Sequence, residues 1–177
     1  MDTLTQRQQQ QEGGTSVRQF LARRGAVLVK ETRDIGRSQG LYRDSLMVST
    51  AVLAFVKGQH KDMSFGIRIE RQDVEERTDS SVYLDFDEIP ELVDAFDFIK
   101  SSAVRMAEQQ LDYTEVTYST KDGAKIGFFQ NAGKQQYFIH LEPHRDMSFL
   151  SDLEFQRLKL LLLKAKEHLL SRGASVA

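Results

Sequence analysis

The sequence predicts an α+β fold of antiparallel sheets, ordered as four strands, a helix, three strands and a second helix, with the helices packed on the sheets. Three observations carry that prediction. Residues 81–100, SVYLDFDEIPELVDAFDFIK, switch within a few positions from strand-like alternation (Val82, Leu84, Phe86) to apolar steps of three and four. Residues 137–171 repeat the switch, from an apolar strand through a short loop into a helix opening at Ser151. Between the two junctions, Asp122-Gly123 and Asn131-Ala132-Gly133 punctuate three short strands, as turns do in a meander. A chain of 177 residues fits one domain. We place it at residues 17–177, with pseudo-halves at 17–111 and 112–177.

Residues 1–16 are polar and Gln-rich and are expected to form a disordered tail. Residues 17–24, VRQFLARR, predict one helical turn anchored by Phe20 and Leu21, ended by Gly25. Residues 26–33 read as a first strand, followed by a loop at 36–40. The stretch DSLMVSTAVLAFVK, residues 44–57, is apolar on both faces. A strand buried on two sides, or one face set in a subunit interface, accounts for that. After a turn at 57–62, residues 64–72 alternate, with Phe65, Ile67 and Ile69 opposed to Gly66, Arg68 and Glu70. That is the pattern of a sheet with one wet face.

The first long helix is expected to start near Asp87 as N-cap, with Pro90 tolerated in the first turn. Its stripe is Ile89, Leu92, Val93, Phe96, Ile99, Ala103 and Met106, with Phe98 pointing outward. Glu88, Glu91, Asp94 and Asp97 meet the helix dipole, and Asp85 is expected to face water. Strands follow at 113–120, 124–130 and 135–142. Ser151 and Glu154 then form a capping box, and the helix stops at Gly173. Phe155, Leu158, Leu162, Ala165 and Leu169 form its stripe. Leu160, Leu161 and Leu163 widen it, which predicts cover on more than one side.

Composition narrows the function. The 40% hydrophobic and 28% charged residues are ordinary for a globular protein, and a net charge of −2 gives no global attraction to nucleic acid or anionic membrane. The charge is uneven: residues up to about 45 are mildly basic, and residues 61–100 are acidic. With no cysteine, disulfides, thiol catalysis and thiolate metal sites are excluded. No apolar run reaches the roughly 18 residues of a membrane-spanning helix, so no membrane insertion is expected. The first residues lack the apolar core of a signal peptide, which points to the cytoplasm; a chain whose signal had been removed would look the same.

For metal binding, His140 and Glu142 share a strand face, with His144 just beyond Pro143. Two imidazoles and a carboxylate would suit zinc, but solvent-facing histidines are the simpler expectation, and no metal or other cofactor is expected. Asp85, Asp87 and Glu88 crowd a strand-to-helix junction, where paired carboxylates sometimes split their pKa values for acid–base work. No His or Lys lies beside them in sequence, so capping is the expected role and no catalytic residue is assigned. No nucleophile elbow, phosphate loop or dinucleotide fingerprint is present. For single-stranded nucleic acid, Lys125 and Phe129 share one side of the last three strands. Tyr118, Phe138 and His140 are expected to join them, with Lys121 and Lys134 in the turns. Rings interleaved with basic groups on an open sheet bind bases by stacking, but rings on a sheet more often pack under a helix, and the acidic residues 61–100 would repel phosphates.

The stretches FGIRIE, SVYLDFDEIPELVDAFDFI, YTEVTYSTKDGAKIGFFQ and KQQYFI resemble a set of uncharacterised bacterial proteins, from about Phe65 to the last helix. The resemblance implies a shared fold and carries no activity. The strand and helix order is also similar to the Whirly and Pur folds, which imply single-stranded nucleic-acid binding, although the Lys-Gly-Lys type motif of Whirly proteins is missing. The function expected from all this is a non-enzymatic protein-binding or self-associating module. The alternatives are single-stranded nucleic-acid binding, and a small-ligand carrier or enzyme with an unrecognised site.

Overall fold

The computed structural model describes residues 14–74, 80–145 and 147–175. The chain forms a short helix α1 (Ser16–Leu21) and strands β1 (Val27–Gln39), β2 (Asp44–Lys57), β3 (His60–Asp73) and β4 (Ser80–Asp85). A 3-10 turn at Phe86–Glu88 leads into helix α2 (Ile89–Met106). Strands β5 (Tyr113–Ser119), β6 (Lys125–Asn131), β7 (Lys134–His140) and β8 (Ser148–Leu150) precede helix α3 (Asp152–Ser171). The strands make two separate antiparallel meanders, β1-β2-β3-β4 and β5-β6-β7-β8. The α+β class holds. The order of the second half is corrected, because a fourth strand of three residues pairs Phe149 opposite Phe138.

The first strand outruns its prediction. The expected loop at 36–40 is strand as far as Gln39, with a register shift between Asp34 and Gly36 that keeps the pairing to β2. The β2–β3 turn shrinks to Gly58-Gln59, because Lys57 pairs with His60. Between β6 and β7, Ala132 and Gly133 both take positive φ (48° and 78°). Those angles belong to the tight hairpin turn whose twist matches the strands. Of the tail placed at 1–16, residues 1–13 lie outside the described residues, while Thr15 and Ser16 already serve α1. The Thr15 hydroxyl accepts from Arg18 N. The connection at 73–80 also lies partly outside the described residues, at 75–79.

Both faces of β2 are buried from Asp44 to Phe55, apart from half-buried Met47. On one face Leu46, Val48 and Val52 join Ile67, Ile69, Val82 and Leu84 in the main core. On the other, Ala51, Leu53 and Phe55 pack with Tyr83 beneath Val17 and Phe20 of α1. Gly66 is needed there: a β-carbon on it would stand 2.5 Å from Val17 Cγ2.

The two halves exchange helices. Helix α2 follows the first sheet yet lies against β5 and β6, whereas α3 follows the second sheet and lies mainly over β1 and β2. Phe96 of α2 and Phe155 of α3 meet at 4.6 Å between ring centroids, so one core serves both sheets. The predicted α3 stripe is buried, and Leu161 reaches Gly36 of β1. Leu160 departs from expectation, since it remains 56% exposed. Buried Asp44 ties the sheets together, accepting from Arg71 Nε at 3.2 Å and from Ser148 Oγ on β8. Among the described residues no helix is long and apolar enough to cross a membrane.

Candidate functional site

The junction acids have structural partners. Asp85, expected to face water, is 5% exposed, and this is a correction. Its carboxylate accepts from Ser16 N (2.8 Å), Ser16 Oγ (2.9 Å) and Val17 N (3.0 Å), so it seats the start of α1 on the sheet. Glu88 is buried and accepts from Asp85 N at 3.0 Å and Lys121 N at 3.3 Å. Burial pushes its carboxyl above the usual glutamate range, against those two N–H bonds. Asp87 stays exposed and pairs with Lys121 Nζ at 3.0 Å, and that bond raises the lysine. Asp122, in the β5–β6 turn, accepts from Tyr83 N (2.9 Å) and Arg18 Nε (2.6 Å). The cluster is where one half of the fold docks on the other.

The metal candidates are each engaged differently. His140 Nε2 lies 2.7 Å from the Arg145 carbonyl oxygen, and Glu142 accepts from Ser81 N at 3.1 Å. His144 is exposed. Among the described residues no group of three His, Asp or Glu is placed to hold a metal ion.

The face of the second sheet that points away from the core is different. Register places Tyr113, Glu115, Thr117 and Ser119 of β5 there, then Lys125, Gly127, Phe129 and Asn131 of β6. Lys134, Gln136, Phe138 and His140 of β7 follow, with Phe149 of β8. Its rings form a chain. Tyr113 stacks on Phe129 at 6.3 Å, Phe129 meets Phe149 at 6.4 Å, and Phe149 meets Tyr42 from the β1–β2 loop at 5.8 Å. Phe138 lies 6.1 Å from Phe129 and is buried by its neighbours. Tyr42 and Tyr113 are the open ends, 71% and 56% exposed. An open depression of about 860 Å³ is lined by Tyr42, Phe129, Asn131, Lys134, Gln136 and Phe149. Glu115 is the one acid among these positions, and its carboxylate accepts from the Tyr113 hydroxyl at 2.6 Å. That bond raises the phenol above its ordinary pKa.

Of the residues read as a nucleic-acid face, Lys125, Phe129, Lys134, Phe138 and His140 are brought together. Tyr118 is a correction: with Thr114 and Val116 it faces the core, where burial and the acids Glu91 and Glu88 raise its hydroxyl. Its alternation with Val116 was the available signal. Lys121 goes to the acid cluster instead. Three rings were missed. Tyr113 follows from counting outward from the β5 alternation, but Phe149 and Tyr42 arrive through a three-residue strand and a loop of the other half. Comparisons of the chain with protein families, curated proteins and solved structures find no match to it.

Proposed function

We propose that this protein is a non-enzymatic binding module that takes up single-stranded nucleic acid on the outward face of its second sheet. One observation carries the reading, the chain of rings Tyr113, Phe129, Phe149 and Tyr42 at spacings of 5.8 to 6.4 Å on a sheet face opposite both long helices. Unpaired bases stack on such rings without regard to sequence, and Lys125 and Lys134 flank the row where a phosphate backbone would run. The acidic part of the chain, residues 61–100, lies in other elements, although its Asp73 lines a depression beside Tyr42 and Phe149.

Fluorescence anisotropy with labelled oligo-dT and oligo-rU at low salt tests this. Tyr113→Ala and Phe149→Ala are each expected to weaken binding by about 5-fold to 150-fold, since stacking contributes ~1–3 kcal/mol per base. Replacing Lys125 and Lys134 together by Ala should flatten the slope of log affinity against log salt by about 1.4. Absence of binding at low salt removes the proposal.

A second reading, a protein-binding or self-associating module, has a separate support. Val27, Leu28, Val29 and Met63 stand exposed near one end of the long strands of the first sheet, with Val56 half-buried beside them. Light scattering on the full chain over a range of concentrations tests it.

A further inference from the structure

Resting on that second reading, we propose that two copies of this chain join through the free edges of β1, antiparallel, with Thr32 opposite Thr32 of the second copy. Strand β1 pairs only with β2 among the strands, so its other edge presents a row of unpaired N–H and C=O groups. It is thirteen residues long, and residues 27–34 are exposed whichever face they point to. An edge of that length is a template for another strand unless charge or bulges block it.

The charges on β1 select a register instead of blocking one. Leu28, Lys30, Thr32 and Asp34 lie on the face that carries α1, and Val27, Val29, Glu31 and Arg33 on the core face. In an antiparallel pair related by a two-fold axis, residues directly opposite lie on the same face of the joined sheet. With Thr32 on the axis, Lys30 stands opposite Asp34 and Glu31 opposite Arg33, each twice. The other registers with the axis between Val29 and Arg33 are worse. An axis through Lys30, Glu31 or Arg33 sets a like pair face to face, and one through Val29 puts Leu28 against Lys30 and Val27 against Glu31. The bulge after Asp34 then ends the matched stretch.

The rest of the molecule leaves room for the second copy. Helix α3 covers β1 from Ser38, where Ser38 Oγ and Gln39 N donate to Glu154, to Glu31, which accepts from Arg172. In the antiparallel pair the two helices therefore run away from the axis, and only their last turns approach. Lys30 Nζ already donates to the Tyr83 hydroxyl at 3.1 Å and has two further protons to give. Glu31 keeps lone pairs beyond its bond to Arg172. Arg33 and Asp34 make no ion pair among the described residues.

Sedimentation velocity on the full chain, with and without charge changes, tests the register. Asp34→Lys sets Lys30 against a lysine at both ends and is expected to raise the dimer dissociation constant at least tenfold. The swap Lys30→Asp with Asp34→Lys should return it to within threefold of the parent. Because the chain has no cysteine, Thr32→Cys supplies a single thiol that a short bis-maleimide should link into dimers, whereas Lys164→Cys should not link. A dimer indifferent to Asp34→Lys, or not restored by the swap, overturns the β1 register and leaves self-association standing on another surface. A chain that stays monomeric at every concentration overturns both.

Discussion

Glu88 is a carboxylate held between two backbone donors at the seam of the halves, and its burial sets a pH dependence that runs against most acids. Its folded pKa is raised above the ordinary value of 4.5, chiefly by desolvation, so the native state holds this proton more tightly than the unfolded chain does. That preference adds stability in full below 4.5 and is lost as pH rises through the folded value. Glu88→Gln should therefore remove a downward slope of stability in the pH range just above 4.5, read from thermal unfolding at a series of pH values. If the slope is unchanged in the variant, another group carries it. The neighbouring Asp85 shows how far local reading reaches. Alternation with Leu84 and Phe86 correctly sends Asp85 to the opposite face of β4. That face is covered by a helix 69 positions earlier in sequence, which no local pattern contains.

At the scale of elements, α1 is six residues long and too short to persist by itself, so its place depends on what holds it. Asp85 binds two of its N-terminal N–H groups and one hydroxyl, while Val17 and Phe20 fill the hollow over Ala51, Leu53 and Phe55. Asp85→Ala should cost about 2–4 kcal/mol, from charged hydrogen bonds lost and donors left bare. It should also release α1, seen as early tryptic cleavage at Arg18 or Arg23 under native conditions. Destabilisation without early cleavage would mean that the packing alone retains α1. This two-sided burial was legible in part, since residues 44–57 read as a strand apolar on both faces and 17–24 as a turn with two anchors. That the second covers the first was not, because a single helical turn carries no address. Strand β8 was hidden for a related reason: three residues are too few for alternation to register, and it forms because β7 offers an edge.

At the scale of the whole molecule, the two sheet-then-helix units were visible in the two strand-to-helix switches, without the fourth strand of the second unit. The destination of each helix was not, because an apolar stripe specifies only that it must be covered. Phe96 and Phe155 seal the exchange from opposite sides of one core. Residues 14–111 and 112–175 made as separate chains should accordingly show no cooperative urea transition by circular dichroism, and mixing them should restore one. Two independent transitions would mean that each half covers its own sheet. The candidate binding face obeys the same rule. Its centre, Phe129 and Phe138 with Lys125, follows from the β6–β7 hairpin. Its ends depend on both halves, since Tyr42 reaches Phe149 from the β1–β2 loop, where Leu41 N donates to the Phe149 carbonyl at 2.9 Å.

The exchange also sets a timetable for the nascent chain. Strands β1 to β4 are made before the second sheet, and the helix that roofs β1 and β2 comes only after both sheets. Until α3 arrives, Leu46, Val48 and Val52 lack the helix that lies over β2, and the long β1 edge is bare at the same time. Folding of the first sheet is thereby deferred until α3 has been made, and the interval before it is when chaperones would be most engaged.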